Sequence, residues 1–289
     1  MKSLRDIVIA LIPITLITYM IIWDFGNIKY LQYLFQEAIS NPSNWIDIWK
    51  FVLLQLLTLF NIVAPVVYFS SQNPAIKRKA YSLIRFVFVI SFVFTLPAIY
   101  AQFRYLDNSP DGNSLLLVLR YLIMIFTAVV LWISKPADQV PFISLENYEM
   151  VSYTTRGHRF LHYFVDLLFI TTISYNWYQY PRRYYSAGYD AVIINSLVSW
   201  ANILVYYFLS EIMFRQTLGK MLTNSCVVAS HGNMGGLRVV GRAFARLIPF
   251  DALSFLWNGD WHDKASGTAV VYTYSWEDIV FEGEEIDQA

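Results

Sequence analysis

Arg159 and Asp166 stand seven residues apart in HRFLHYFVD, two helical turns along one face and about 10 Å by rise. The residues around them are apolar. Ionisable groups at depth in a bilayer are costly and mark functional candidates. A lone carboxylate there takes a proton or finds a counter-charge, so Asp166 has the chemistry of a cation- or proton-binding group. Arg159, or an arginine from another segment, is the expected counter-charge. Glu211 is a second acid near the end of an apolar stretch. Lys220, Arg242, Arg246, Asp251 and Asp263 follow within the next 52 residues, so acids and bases are nearly balanced. The same residue types also make a structural salt-bridge network, and spacing alone does not separate that reading from an ion relay.

Asn195, Ser199, Asn202, Tyr206 and Ser210 recur at spacings of 4, 3, 4 and 4 and fall on one helical face. Lipid cannot satisfy amides, so this stripe must face protein or a wet cavity. It serves either as helix–helix glue or as a ligand path. His158 and His162 are four apart, but no third ligand has suitable spacing, so no metal is expected. The glycines of HGNMGG (231–236) follow no strand–GxxxxGK pattern and do not cradle a phosphate. Nothing arranges a nucleophile with a base or a cofactor, and neither an enzyme nor a bound cofactor is expected.

The elements that must position these residues are membrane helices. Of the 289 residues 56% are hydrophobic and only 15% charged, against roughly 25% charged in soluble domains. Nucleic-acid binding and a disordered chain are excluded on the same grounds. The single cysteine, Cys226, excludes a disulfide framework. Six stretches approach the length of a bilayer crossing: Ile7–Trp23, Phe51–Ser70, Phe86–Phe103, Leu115–Ile133, Phe160–Tyr178 and Ala191–Phe214. The first reads as an uncleaved anchor, because Trp23-Asp24-Phe25 offers no cleavage site. With the N-terminus inside, fifteen Lys and Arg, the loop cluster Lys77, Arg78, Lys79 and Arg85 among them, lie on the cytoplasmic side and five outside, which places both termini in the cytoplasm. Residues 27–39 read as an amphipathic helix on the outer leaflet, and Tyr175–Tyr189 as an aromatic belt.

The segment 238–257 is long enough for a seventh crossing, but it carries Arg242, Arg246 and Asp251. Three charges cost roughly 7–10 kcal/mol at depth, more than the remaining apolar residues return. It is therefore expected as an interfacial or shallowly re-entrant helical hairpin on the cytoplasmic side, with its arginines toward phosphates or acidic protein groups and Val239, Val240, Ala243, Phe244 and Leu247 opposite. The expected fold is an all-α polytopic membrane protein: six transmembrane helices in three hairpins plus this element. Its regions are a four-helix N-terminal part (1–135), a cytoplasmic linker (136–158), a second membrane domain (159–275) and an acidic tail (276–289) with six acids between Glu277 and Asp287.

Four fragments in order, HRFLHYFVD, RQTLGK (215–220), GRAFARLIPFDALSFL (241–256) and WHDKASGTAVV (261–271), resemble the RDD family of membrane proteins over about residues 150–275. The resemblance implies that Arg159 is the family arginine, with Asp166 and Asp263 its two aspartates. Thr217, Gly219, Lys220, His262, Gly267 and Thr268 complete the matching motifs. The chain departs from longer members, which place a full span between the paired arginines and the HD motif. The resemblance also implies the bacterial inner membrane and a part in transport of an unidentified ion or small molecule. The alternative is a structural, assembly or regulatory membrane protein whose Arg/Asp network only holds the fold. The lipid bilayer is the partner in either case, and an oligomer or a membrane-protein partner stays open.

Overall fold

The computed structural model describes residues 4–13, 36, 39, 45–106, 113–134, 154–174, 189–230, 235–246 and 261–272. The chain is mostly helical. Residues 4–13 are helical. They are followed by α1 (Trp45–Ser70), α2 (Pro74–Leu106), α3 (Asn113–Ile133), α4 (Arg156–Ile173), α5 (Tyr189–Phe214) and α6 (Leu218–Leu222). Then come β1 (Ser225–Ala229), α7 (Gly236–Ala245), α8 (Trp261–Ser266) and β2 (Thr268–Tyr272). Two compact units divide the chain, Met1–Ala137 with Leu168–Ser199 and Asp138–Leu167 with Trp200–Ala289.

Among the described residues three helices are long and apolar enough to cross a membrane: Phe51–Ser70, Pro74–Pro97 and Ser196–Phe214. The second starts earlier than the sequence suggested. Asn73 accepts the Ala75 N–H at 2.9 Å and Pro74 takes the first helical position, so α2 begins ahead of Lys77. Arg85, expected in a cytoplasmic loop, is consequently buried inside α2. It caps the C-terminus of α3 instead. Its Nε donates to the Leu131 carbonyl at 3.0 Å and its Nη2 to the Trp132 carbonyl at 3.4 Å, and the Tyr81 hydroxyl donates to the Ser134 carbonyl. These carbonyls belong to the last turn and just beyond, where the helix has no partners of its own. Among the described residues the first unit's interior is otherwise mainly apolar, built on Val8, Ile9, Phe86, Val87, Ile90, Phe94 and Leu131.

The second unit departs from the all-α expectation. β1 and β2 pair antiparallel, with Cys226 opposite Val271 and Val228 opposite Ala269. Strands this short carry no clear alternation, because nine of their ten residues are buried. Short apolar runs buried on both faces cannot be told from helix by periodicity. Asn224, at φ 51°, turns the chain into β1, and Gly267, at φ 60°, turns it from α8 into β2. The backbone of Thr154, just ahead of α4, donates to Val270 at 3.2 Å.

The remaining expectations lie partly or wholly outside the described residues. Only residues 7–13 of the first predicted span are described, and the fifth is described as far as residue 174. The fourth lies within α3, where Tyr121–Ile133 is a shorter apolar stretch. The outer amphipathic helix, the Tyr-rich belt, residues 231–234, the second arm of the hairpin with Asp251, and the acidic tail lie outside.

Candidate functional site

The second unit gathers its charges in its interior. Glu211 projects from the last turn of α5, and its Oε1 accepts from three cations. Lys220 Nζ lies at 2.8 Å, Arg242 Nε at 3.1 Å and Arg246 Nη2 at 3.1 Å. Arg242 on α7 and Arg246 at its C-cap are one turn apart and so reach the same oxygen. Arg242 has no exposed surface. Its Nη1 donates to Asp263 Oδ1 on α8 and to the Thr268 hydroxyl at the start of β2. Asp263 Oδ2 in turn lies 3.6 Å from Arg159 Nη1 on α4. Arg246 also lies over the Tyr207 ring, 3.8 Å from its centroid, a cation–π contact. Six charged groups on five helices thus form one connected network.

Burial sets the electrostatics. It works against the charge on the Arg242 guanidinium, and Asp263 with Glu211 more than offsets it, so the group stays above its ordinary value. Arg246 is likewise held up against burial, chiefly by Glu211. The Lys220 ammonium goes the other way. Burial, with Arg242 and Arg246 adding to it, draws it down to about 8 against the pull of Glu211.

Asp166 is built differently. It sits on α4 with 1% of its surface exposed. Its Oδ1 accepts from the Tyr206 hydroxyl at 2.8 Å and from the Gly219 backbone N–H at 2.9 Å. Tyr206 Oη also accepts the Leu218 N–H at 3.2 Å. These donors are neutral. Of the two expected counter-charges, Arg159 is corrected, because it turns to Asp263 and to the Thr154 hydroxyl, 3.2 Å from its Nε, whereas an arginine from another segment, Arg246, acts on Asp166 through space. A position two turns away on the same helix reaches a different neighbour, and the hydrogen bonds to Asp166 come from neutral groups, with the Arg246 charge acting on it from farther off.

The TLGK fragment explains how that happens. A Cβ on Gly219 would stand 2.6 Å from both the Cα and the carbonyl oxygen of His162, so only glycine lets α6 lie against the α4 backbone. That contact delivers the Gly219 N–H to Asp166 and Lys220 to Glu211. The stripe on α5 contributes as expected at Tyr206, with Asn202 and Ser210 also buried. Ser199 is only partly buried, and the Asn195 side chain lies outside the description. Asn202 Nδ2 and Ser210 Oγ are buried without a hydrogen-bond partner.

The two histidines do not share a site. His158 pairs with the Tyr272 hydroxyl, whereas His162 Nε2 lies 2.6 Å from Thr223 Oγ1 and 3.0 Å from Ser225 Oγ. Thr154, Tyr207, Thr223 and Ser225 were not legible as site residues. Each is a common polar type whose role depends on the sheet or on one rotamer.

Long apolar helices and a core of mutually paired charges define a helical membrane protein. Residues 153–272 match the model of the RDD family, the region in which the motifs fall. The match includes Arg159, Asp166, Lys220, Arg242 and Asp263 and covers less than half of the chain. Comparison with curated proteins and with solved structures gives no match.

Proposed function

We propose that the chain is a six-span protein of the bacterial inner membrane with both termini in the cytoplasm, and that it takes part in moving an ion or small ligand. Asp166 is the carboxylate that carries the reading. It is buried on an apolar helix, its hydrogen-bond donors are neutral, and Arg246 acts on it only through space, which supports a carboxylate open to a proton or a cation. Asn202 and Ser210 share the α5 face with Tyr206, which supports a polar route beside it. Segment 238–257 stays on the cytoplasmic side in this reading. No catalytic residue is assigned.

The test is flux in proteoliposomes across a panel of cations and protons, comparing the wild type with Asp166→Asn. Asn keeps an oxygen for Tyr206 and Gly219 but removes the charge, so flux is expected to fall at least about tenfold with melting unchanged. Absence of flux for every ion, or flux indifferent to the substitution, would sink the transport reading. A second reading has its own support. Glu211, Arg242, Asp263 and Arg159 form a chain of ion pairs, which supports a structural network. Under it, Asp166→Asn and Arg159→Gln lower stability together and show coupling in a double-mutant cycle.

A further inference from the structure

We infer that α7 lies flat in the cytoplasmic boundary of the bilayer, with Leu237, Gly241 and Phe244 as its lipid-facing stripe. The inference deepens the membrane reading above, because it assigns a partner to one face of the RDD-matching region. The opposite face of α7 is fixed by Val239, Arg242, Ala243 and Ala245, all buried. Arg242 and Arg246 tie that face to Glu211, each at 3.1 Å. Glu211 stands three residues before the end of the crossing stretch Ser196–Phe214, so α7 is held where that helix leaves the membrane.

What points away from the protein is apolar. Leu237 is 89% exposed and Phe244 59%. They are seven residues apart, two turns along one face. Between them Gly241 is exposed, and a Cβ there would meet nothing within 4 Å. No charge interrupts the stripe, and the neighbouring Arg238 turns back to donate to the Gly267 carbonyl at 3.3 Å. An amphipathic helix at this depth, with cations on the inner face and large apolar groups outward, fits the headgroup–acyl boundary. It does not fit water, where a leucine and a phenylalanine would stand bare. The rotation also differs from the sequence expectation, which put Val239 and Ala243 on the lipid side.

The experiment uses the full chain in phosphatidylcholine–phosphatidylglycerol vesicles, with a nitroxide on Leu237→Cys or Phe244→Cys in a Cys226→Ala background. Leu197→Cys on α5 is the membrane control and Lys264→Cys on α8 the aqueous control. Collision with dissolved oxygen and with a water-soluble nickel chelate is read by electron paramagnetic resonance. The oxygen-to-nickel ratio at 237 and 244 is expected to exceed that at 264 by at least about threefold. Gly241→Leu, which adds an anchor in open space, is expected to raise it further at 237. A ratio equal to that at 264 means the stripe faces water and overturns the proposal. Low collision with both reagents means another part of the chain or a second copy covers it, which also overturns it. If Leu197→Cys itself reads as aqueous, the membrane reading of α5 fails, a result separate from the behaviour of α7.

Discussion

The two units bury arginine in opposite ways. In the first, Arg85 donates to backbone carbonyls at the end of α3 and lies over the Trp132 ring at 5.2 Å. The last carbonyls of a helix carry partial negative charge, which suits a cation there. In the second, Arg242 meets two carboxylates and a hydroxyl, and Arg246 meets a carboxylate and an aromatic face. The first arrangement fastens one helix end. The second links α4, α5, α6, α7 and α8 through side chains of which all but Lys220 have more than one partner, so a change at one is felt at the others.

The sharpest way to break the comparison is to remove one charge from each unit. Glu211→Gln leaves Lys220, Arg242 and Arg246 buried with their common acceptor neutralised. A loss of about 3–5 kcal/mol is expected, enough to abolish folded protein in a marginal case. Arg85→Met removes hydrogen bonds to the carbonyls that end α3, and about 1.5–3 kcal/mol is expected. Thermal melting in one detergent, with fluorescence-detected size exclusion, measures both. Equal losses would mean that the network in the second unit is no more cooperative than a helix cap.

The membrane character was legible because a bilayer solvent writes itself into long apolar runs, and α1 and α5 contain two of them. Arg159, Asp166, Lys220, Arg242 and Asp263 were legible as a set because charge among such runs is rare and costly. Partner choice was not. Nothing in the spacing of Arg159 and Asp166 says that one turns to Asp263 and the other to Tyr206 and Gly219. That division depends on α6 lying against α4, and on β2 presenting Thr268 beside Arg242. The sheet escaped the reading because SCVVA and TAVVY are too short and too uniformly buried to show a period. Arg85 was misplaced because a charge near the end of an apolar run was assumed to mark its boundary.

Two glycines sharpen the comparison within the second unit. Gly219→Ala forces a Cβ into the His162 backbone, 2.6 Å away, so α6 must withdraw from α4. About 1–3 kcal/mol of stability is expected to be lost, because neither backbone can yield as a side chain would. Gly241→Ala meets open space and removes a flexible residue from the interior of α7, so it is expected to stabilise by about 0.5–1 kcal/mol. Denaturation midpoints of the two variants therefore move in opposite directions. A neutral Gly219→Ala would show that the close approach of α6 is not what places the Gly219 N–H on Asp166.

The smallest effect concerns the dry part of the charged unit. Cys226 on β1 packs with Val228, Ala269 and Val271, close in sequence to Lys220 yet among apolar groups. Burial pushes its thiol up to about 12, against the pull of the Lys220 and Arg215 cations. The unfolded thiol ionises near 8.5. The fold therefore favours the protonated form, and this group's effect on stability is nil below that value and increasingly unfavourable as the pH rises toward 12. At pH 8 the thiolate is the species that reacts with a maleimide. Native protein is expected to label at least about a thousandfold more slowly than urea-unfolded protein, on the ratio of thiolate populations. Glu211→Gln should leave that ratio intact in whatever fraction folds, because the sheet excludes water by its own apolar packing. If the native thiol labels at the unfolded rate, the sheet is open to water at its centre. The contrast between a dry strand pair and a charged helix cluster inside one unit would then fail.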